Sequence, residues 1–351
     1  MHQPPIKGRG HAIRPNGRFA ARDVDFDPEL EAGPAPETEL SAMQARSIIS
    51  RNNSPDISFD QSINPYQGCE HGCVYCYARP SHSYFDLSPG IDFETKIFYK
   101  PNAVERLLAE WEKPSYVVKP ICIGANTDPY QPAEKRLKIT RHLLETFLEC
   151  RHPVSLITKG TLIRRDLDLL AELAARRLCS VAVSIPSADN HLKRVLEPRV
   201  PSVSQRFRAV SELTAAGIPV TVMMAPVIPA LNDGEIETIL EASSEAGATR
   251  AAWILLRLPH ELKSLFQHWL SEHYPDRAEH VMSLIRQASG GRDYDNRYGR
   301  RQRGQGPYAE MLRQRFDAAC RRLSLNAADA RKNLDVSQFR RPDGRQISLA
   351  F

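Results

Sequence analysis

The chain has 351 residues, 42% hydrophobic and 25% charged, with 47 Lys and Arg against 42 Asp and Glu for a net charge of +5. These are the averages of globular proteins, which excludes a wholly disordered or fibrous chain, and the length leaves room for two domains. No run reaches the roughly 18 to 20 apolar residues that cross a bilayer, because the most apolar stretch, 220–231, is interrupted by Pro226 and Pro229.

In chain order, residues 1–57 read as an N-terminal extension. Every charge from Lys7 to Arg22 is positive and every charge from Asp23 to Glu39 negative, among Pro and Gly. Block charge with few bulky apolar residues buries too little surface to offset the entropy of ordering, so a largely disordered arm is expected. Residues 58–260 alternate short β-branched runs with amphipathic stretches. One strand precedes the cysteine-rich segment, and further strands are expected at 121–124, 154–158, 180–185, 220–224 and 251–256. Helices are expected between them at 140–150, 166–177, 202–216 and 234–246, with Ser202 as an N-cap and Gly217 and Gly247 as stops. About six βα units predict a parallel sheet, flat or curled into a full or partial barrel, with the active site at the C-terminal strand ends. Residues 261–326 read as a helical region: one or two helices over 261–287, an Arg-rich loop over 289–306 and a helix over about 307–323. A flexible tail, 327–351, ends the chain.

The segment after the first strand carries the chemistry. Cys69, Cys73 and Cys76 stand in a C-x3-C-x2-C spacing with Gly68 and Gly72 beside them. Three thiolates this close can hold three corners of a 4Fe-4S cluster, which leaves one iron open to a small molecule with donor atoms. Zinc is the competing metal, although a structural zinc site takes four ligands, usually as two separated pairs, and only His71 is near enough to complete the set. With no apolar leader near Met1, the reducing cytoplasm is the expected location, and there clustered thiols indicate metal or redox chemistry rather than disulfides.

Cys69, Cys73, Tyr75 and Cys76 together resemble the C-x3-C-x-aromatic-C signature of the radical S-adenosylmethionine superfamily. The stretch 64–79 is similar to the branch that includes spore photoproduct lyase, as are 126–132, 158–160, 197–199 and 225–229, and the flanks 54–56 and 306–308 resemble an uncharacterised subgroup of it. The resemblance covers about residues 58–259. It implies a partial (β/α)6 barrel that binds a 4Fe-4S cluster and S-adenosylmethionine. Reductive cleavage would give a 5′-deoxyadenosyl radical that abstracts hydrogen from substrate, with an electron donor such as flavodoxin or ferredoxin as partner. It also implies the cluster ligands Cys69, Cys73 and Cys76 and places Tyr75 near adenine. One departure stands out: photoproduct lyases carry a hydrogen-donating cysteine just ahead of the Asp of the second-strand block, where this chain reads Ala125, Asn126, Thr127, Asp128. The catalytic hydrogen donor is therefore unassigned, and repair of spore photoproduct by that relay is not expected.

The remaining cofactor candidates fall at strand ends, where a ligand over a barrel mouth is touched. Gly124, Asn126 and Asp128 would meet the methionine ammonium, Lys159 its carboxylate, and Ser184 the ribose or carboxylate, while Glu197 and Arg199 in the next connection either touch cofactor or form a buried ion-pair network. Asp128 before Pro129 also reads as an Asx turn. Arg257 points toward the same mouth and suits an anionic substrate. Nucleic acid is a candidate partner through Arg292, Arg297, Arg300, Arg301 and Arg303, interleaved with Tyr294 and Tyr298. The terminus, with Gln346, Leu349 and Phe351, resembles the Q-x-x-L-x-F peptide by which bacterial proteins dock on the DNA sliding clamp. Two other classes compete: a non-catalytic zinc-dependent nucleic-acid-binding protein, and a radical enzyme acting on a protein or small molecule.

Overall fold

The computed structural model of the chain describes residues 6–20, 36–327 and 333–342. Its strands are β1 (Glu39–Ala42), β2 (Ile49–Arg51), β3 (Gln61–Ile63), β4 (Tyr66–Gln67), β5 (Lys96–Tyr99), β6 (Ile121–Ile123), β7 (Val154–Thr158), β8 (Cys179–Ser184), β9 (Val220–Val227) and β10 (Arg250–Leu255). Its helices are α1 (Asp92–Thr95), α2 (Ala103–Trp111), α3 (Glu134–Leu137), α4 (Ile139–Glu149), α5 (Leu167–Ala175), α6 (Asn190–Leu196), α7 (Val203–Ala215), α8 (Ile236–Glu245), α9 (Leu262–His273), α10 (Ala278–Ala288) and α11 (Gly306–Arg322).

The main sheet has the order β10-β9-β8-β7-β6-β3-β2. Strands β3 and β6 to β10 are mutually parallel, and β2 joins the β3 edge antiparallel. Six parallel strands with helical crossovers make the expected partial barrel, open at its two edges. In β7, Val154, Leu156 and Thr158 are buried while Ser155 and Ile157 are half-buried. That period of two turns Val154 and Leu156 toward the helices, where they pack with Leu143, Phe147 and Leu170, and leaves Ile157 on the inner face. The same alternation separates two adjacent methionines: Met224 is buried in the core, whereas Met223 faces the barrel mouth. Ser202 caps α7 as expected, its hydroxyl accepting the Gln205 N–H at 3.4 Å.

The helical C-terminal region reinforces one end of this barrel. The 261–287 stretch divides into α9 and α10 at a single turn over Pro275–Arg277. Leu265, Phe266 and Trp269 of α9 pack with Val281 and Ile285 of α10 against Val74 and Tyr75, so the cysteine segment shares a core with these helices.

Three features differ from the sequence reading. A second sheet, β1-β5-β4, stands beside the cysteine segment; its strands are too short and too mixed in polarity to show a period. The 1–57 extension is not wholly an arm. Residues 9–11 lie against the cysteine segment, β1 pairs with β5 and β2 with β3, because hydrogen-bonding partners far along the chain take up its polar groups. Within the expected flexible tail, residues 333–342 lie across the barrel end opposite the cysteines. Phe339 sits 5.1 Å from the His152 ring, and the Arg340 N–H donates to the Cys150 carbonyl at 2.8 Å. Gln346, Leu349 and Phe351 lie outside the described residues.

Candidate functional site

The site is built on the loop that leaves β4. Cys69 and Cys73 are buried and Cys76 half-buried; all three are free thiols, and all three line one cavity of about 160 Å³ at the C-terminal ends of the parallel strands. Burial, with the Glu197 charge second, pushes the Cys73 thiol well up, and burial with the Cys69 charge raises Cys76. A bound metal would displace the thiol protons. Among the described residues no three His, Cys, Asp or Glu side chains gather closely enough to hold a single metal ion. The thiolates of a 4Fe-4S cluster each bind a different iron and need not converge on one point. Donor type, number and shared cavity fit such a cluster.

The loop's shape is fixed by charges placed behind it. Arg79 is fully buried; its Nε donates to the Cys73 carbonyl at 2.9 Å, one terminal nitrogen to the Gly90 carbonyl at 2.8 Å and the other to Glu94 at 2.5 Å. Glu94, equally buried, also accepts the N–H groups of Gly10 at 2.9 Å and His11 at 3.1 Å. The His11 ring Nε2 lies 3.1 Å from the Val74 carbonyl. Burial drives its pKa well down, so the ring is neutral and donates. Gly10 has no alternative here, since a Cβ would stand 1.9 Å from the Gly72 carbonyl oxygen.

Across the cavity, Asp128 organises the ends of β6 and β7. Its carboxylate accepts the Tyr130 N–H at 2.9 Å, which is the Asx turn read from the sequence, and also the Thr158 hydroxyl at 2.6 Å and the Lys159 N–H at 2.7 Å. His71 Nδ1 stands 3.3 Å away. Burial opposes the charge on Asp128, but His71 and these donors outweigh it and hold the carboxyl at about 2. For His71, burial is likewise outweighed by Asp128 and Cys69, which raise it to about 10. Asn126 is exposed at the rim, on a backbone turn held by the Asn64 side chain at 2.8 Å. Gly124 takes φ +90°, and a Cβ there would come within 2.4 Å of the Ile157 carbonyl.

Two cations of the cavity wall each lie over the ring of a tyrosine that neighbours Cys76 in sequence. Lys159 Nζ lies 5.8 Å from the Tyr75 ring centre and Arg257 lies 4.7 Å from that of Tyr77. Burial works against the ammonium of Lys159, yet Cys73, Glu197 and Asp128 together raise its pKa. Ser184, at the end of β8, is buried on the wall of the same cavity.

Tyr75, Gly124, Asn126, Asp128, Lys159 and Ser184 thus share one cavity with the three cysteines. Glu197 and Arg199 do not line it. Glu197 is fully buried behind the loop, where it accepts the Tyr75 hydroxyl and pairs with Arg206 at 2.8 Å, and Arg206 donates in turn to the Ser184 carbonyl at 2.9 Å. Arg199 reaches outward to Glu70 at 3.4 Å. Both positions brace the loop. Sequence reasoning assigned no role to Tyr77, Asn64, Arg79 or Arg206. The first three stand in or beside the segments that carry the resemblance, whereas Arg206 looks like any helix-surface arginine. Cys122 is buried in β6 and lies off the cavity wall.

Of the Arg-rich loop, Arg297 pairs with Asp295 at 2.7 Å and Arg301 with Asp56 at 2.5 Å, while Arg303 lies over the Trp253 ring. Arg292 and Arg300 are exposed. The loop borders the barrel edge, the Leu255 N–H donating to the Gln302 carbonyl at 2.8 Å.

A parallel α/β partial barrel with three clustered thiols at its mouth defines a class of iron–sulfur enzymes. The Radical SAM superfamily model matches residues 63–242, and the chain belongs to that superfamily, whose members use a 4Fe-4S cluster and S-adenosylmethionine. An uncharacterised protein of Mycobacterium tuberculosis (strain ATCC 25618 / H37Rv) is 38% identical over 236 residues, covering 67% of this chain and 69% of its own. One of Methanocaldococcus jannaschii is 28% identical over 241 residues, covering 69% and 86%. Among solved structures, a spore photoproduct lyase mutant superposes with a TM-score of 0.61 at 15% identity, covering 88% of this chain and 86% of that one. A second mutant of the lyase, with bound AdoMet and dinucleoside spore photoproduct, gives 0.60 at 15% identity and 81% and 79% coverage. At that identity the likeness is one of fold. Among the described residues no helix is long and apolar enough to cross a membrane.

Proposed function

We propose that Cys69, Cys73 and Cys76 hold a 4Fe-4S cluster and that the adjoining cavity binds S-adenosylmethionine for hydrogen abstraction from a substrate. The observation that carries this reading is the single cavity shared by the three thiols, the Lys159 ammonium and the strand-end groups of Gly124, Asn126 and Ser184. When bound and reduced, the cluster supplies the electron that cleaves S-adenosylmethionine to methionine and a 5′-deoxyadenosyl radical.

The chain's own groups bind and orient. Lys159 offers a fixed positive charge to the methionine carboxylate. The turn 124–126 presents backbone carbonyls to the ammonium, and Asp128 keeps that turn and Lys159 in register through its bonds to Tyr130, Thr158 and the Lys159 N–H. Ser184 meets the ribose or carboxylate. Tyr75, its hydroxyl held by Glu197, closes the cavity near the adenine. A flavodoxin or ferredoxin in a reducing cytoplasm is the electron source in this reading.

Nucleic acid is the first substrate class to test, because Arg292 and Arg300 are exposed on a loop at the barrel edge. The tail bearing Gln346, Leu349 and Phe351 is read as a sliding-clamp peptide, supported by its sequence alone. Deleting residues 348–351 should abolish co-purification with the clamp, and unchanged binding would sink that assignment.

The main test is anaerobic reconstitution. About four irons per chain and 5′-deoxyadenosine formed from S-adenosylmethionine after dithionite reduction are expected, with iron lost in Cys69→Ala, Cys73→Ala and Cys76→Ala. A colourless protein holding one zinc would overturn the reading.

A further inference from the structure

The charges around the mouth are unequally balanced. Lys159 has the Asp128 and Glu197 carboxylates acting on it. Arg257, on the wall of the same cavity, has a buried Nε with no hydrogen-bond partner among the described residues. Asp56 feels the Arg257 charge, but its two oxygens are taken by the Gly299 N–H at 2.6 Å and Arg301 Nε at 2.5 Å. The guanidinium is instead laid over the Tyr77 ring, which leaves its hydrogen-bonding edge free to meet a ligand. A buried donor with no acceptor costs stability unless something in the functional state satisfies it.

The surroundings give that acceptor a context. Ile157, Met223, Ala225 and Ile254 form an apolar wall to the same cavity. Directly after Arg257, Leu258 and His260 border a second, open cleft of about 570 Å³ that also contains Lys263 and Arg292. Neither of these two cations has an ion-pair partner among the described residues. The one carboxylate on the cleft wall, Asp293, is engaged by Arg286 at 2.8 Å and by Gln267 at 3.3 Å. An apolar wall, a stacked guanidinium and a cationic cleft therefore follow one another along a path of adjacent residues.

We propose that Arg257 seats an oxyanion of the substrate at the barrel mouth, and that Lys263 and Arg292 hold a second negative group of the same molecule. This rests on the radical reading above for the chemistry, but the seat can be read by binding alone. The substrate is then a molecule with an apolar portion that lies against Met223 and Ile254 and at least two phosphate or carboxylate groups. Arg257 is a binding residue, distinct from the cation that faces the cofactor.

The test is calorimetric titration, at low ionic strength, of the reconstituted protein saturated with S-adenosylmethionine, using inorganic phosphate in one series and malonate in the other. Binding of at least one probe is expected, and whichever binds more tightly identifies the oxyanion. Arg257→Gln should raise its Kd fivefold or more and Arg257→Lys by less, while Lys263→Gln with Arg292→Gln should weaken it further. Arg313→Gln, at an exposed position of α11 that lines neither cavity, serves as the control for net charge. Melting temperature and iron content show that each variant is folded. Equal affinity in wild type and Arg257→Gln, or no binding of either probe by wild type, overturns the proposal. Failure of the radical reading is separate: it would show as wild-type protein that binds the probe through Arg257 yet yields no 5′-deoxyadenosine.

Discussion

The contact that ties the N-terminal segment to the cysteine loop admits a sharp perturbation, Gly10→Ala. A Cβ at that position would stand 1.9 Å from the Gly72 carbonyl oxygen and 3.0 Å from the Glu94 carboxylate. The clash is with backbone, so no side-chain rotation relieves it, and residues 9–11 must lift away from the loop. Lifting breaks the Gly10 and His11 N–H bonds to Glu94 and the His11 contact with the Val74 carbonyl, while the ion pair to Arg79 remains. Hydrogen bonds to a charged acceptor contribute about 1.5 to 3 kcal/mol each. Losing two, with some recovery from water entering the gap, should cost about 3 kcal/mol, roughly a hundredfold in an equilibrium constant. Urea denaturation should show a lower midpoint with an unchanged slope. Amide exchange at His11 should accelerate about a hundredfold, and reconstituted protein should release iron to a ferrous chelator faster than wild type. A wild-type midpoint together with wild-type protection of the His11 amide would refute the claim that this segment braces the loop.

Other substitutions probe different parts of the molecule. Lys159→Met should raise the Kd for S-adenosylmethionine about ten- to a hundredfold with iron content retained, the range for one lost charge-assisted contact; equal affinity would remove Lys159 from the carboxylate. His152 is fully buried, its Nε2 accepting the Tyr116 hydroxyl at 2.8 Å and its Nδ1 donating to the Pro153 carbonyl at 3.0 Å, and burial lowers it to about 3. Between its ordinary value of 6.5 and about 3 the unfolded chain binds the proton and the folded chain does not. Stability should therefore fall as pH drops through that window, and His152→Phe should flatten that part of the urea midpoint against pH. If nucleic acid contacts the Arg-rich loop, Arg297→Ala with Arg300→Ala should lower the slope of log K against log salt by about 2; an unchanged slope would exclude the loop from the contact.

What the sequence made legible is what is local in it. Residues 154–158 and 180–185 announce themselves as strands because each is a short β-branched run, found at Val154–Thr158 and Cys179–Ser184, and Ser202 announces a helix start because the N–H it caps is three residues away. The C-x3-C-x2-C spacing of Cys69, Cys73 and Cys76 is legible for the same reason, because it lies within one loop of chain. For Glu197 and Arg199 the sequence leaves a buried ion-pair network and a cofactor contact both open, because a charged pair after a strand end carries no mark of direction. Only the fold shows that Glu197 turns inward to Tyr75 and Arg206.

The N-terminal stretch reads as a disordered or loosely docked arm because block charge with few bulky apolar residues buries too little surface. Arg9 finds the Glu94 carbonyl at 3.1 Å, and Gly10 and His11 find the Glu94 carboxylate, 83 to 85 positions further on. No local pattern encodes a pairing at that distance. Its consequence bears on function, because Arg79 and Glu94 are both fully buried and Arg79 spends its remaining donors on backbone carbonyls of Cys73 and Gly90. A buried pair of this kind is stable only where every hydrogen bond is met. The polar groups that meet those bonds come from the cysteine loop and the N-terminal segment, so the loop's conformation is set by protein contacts.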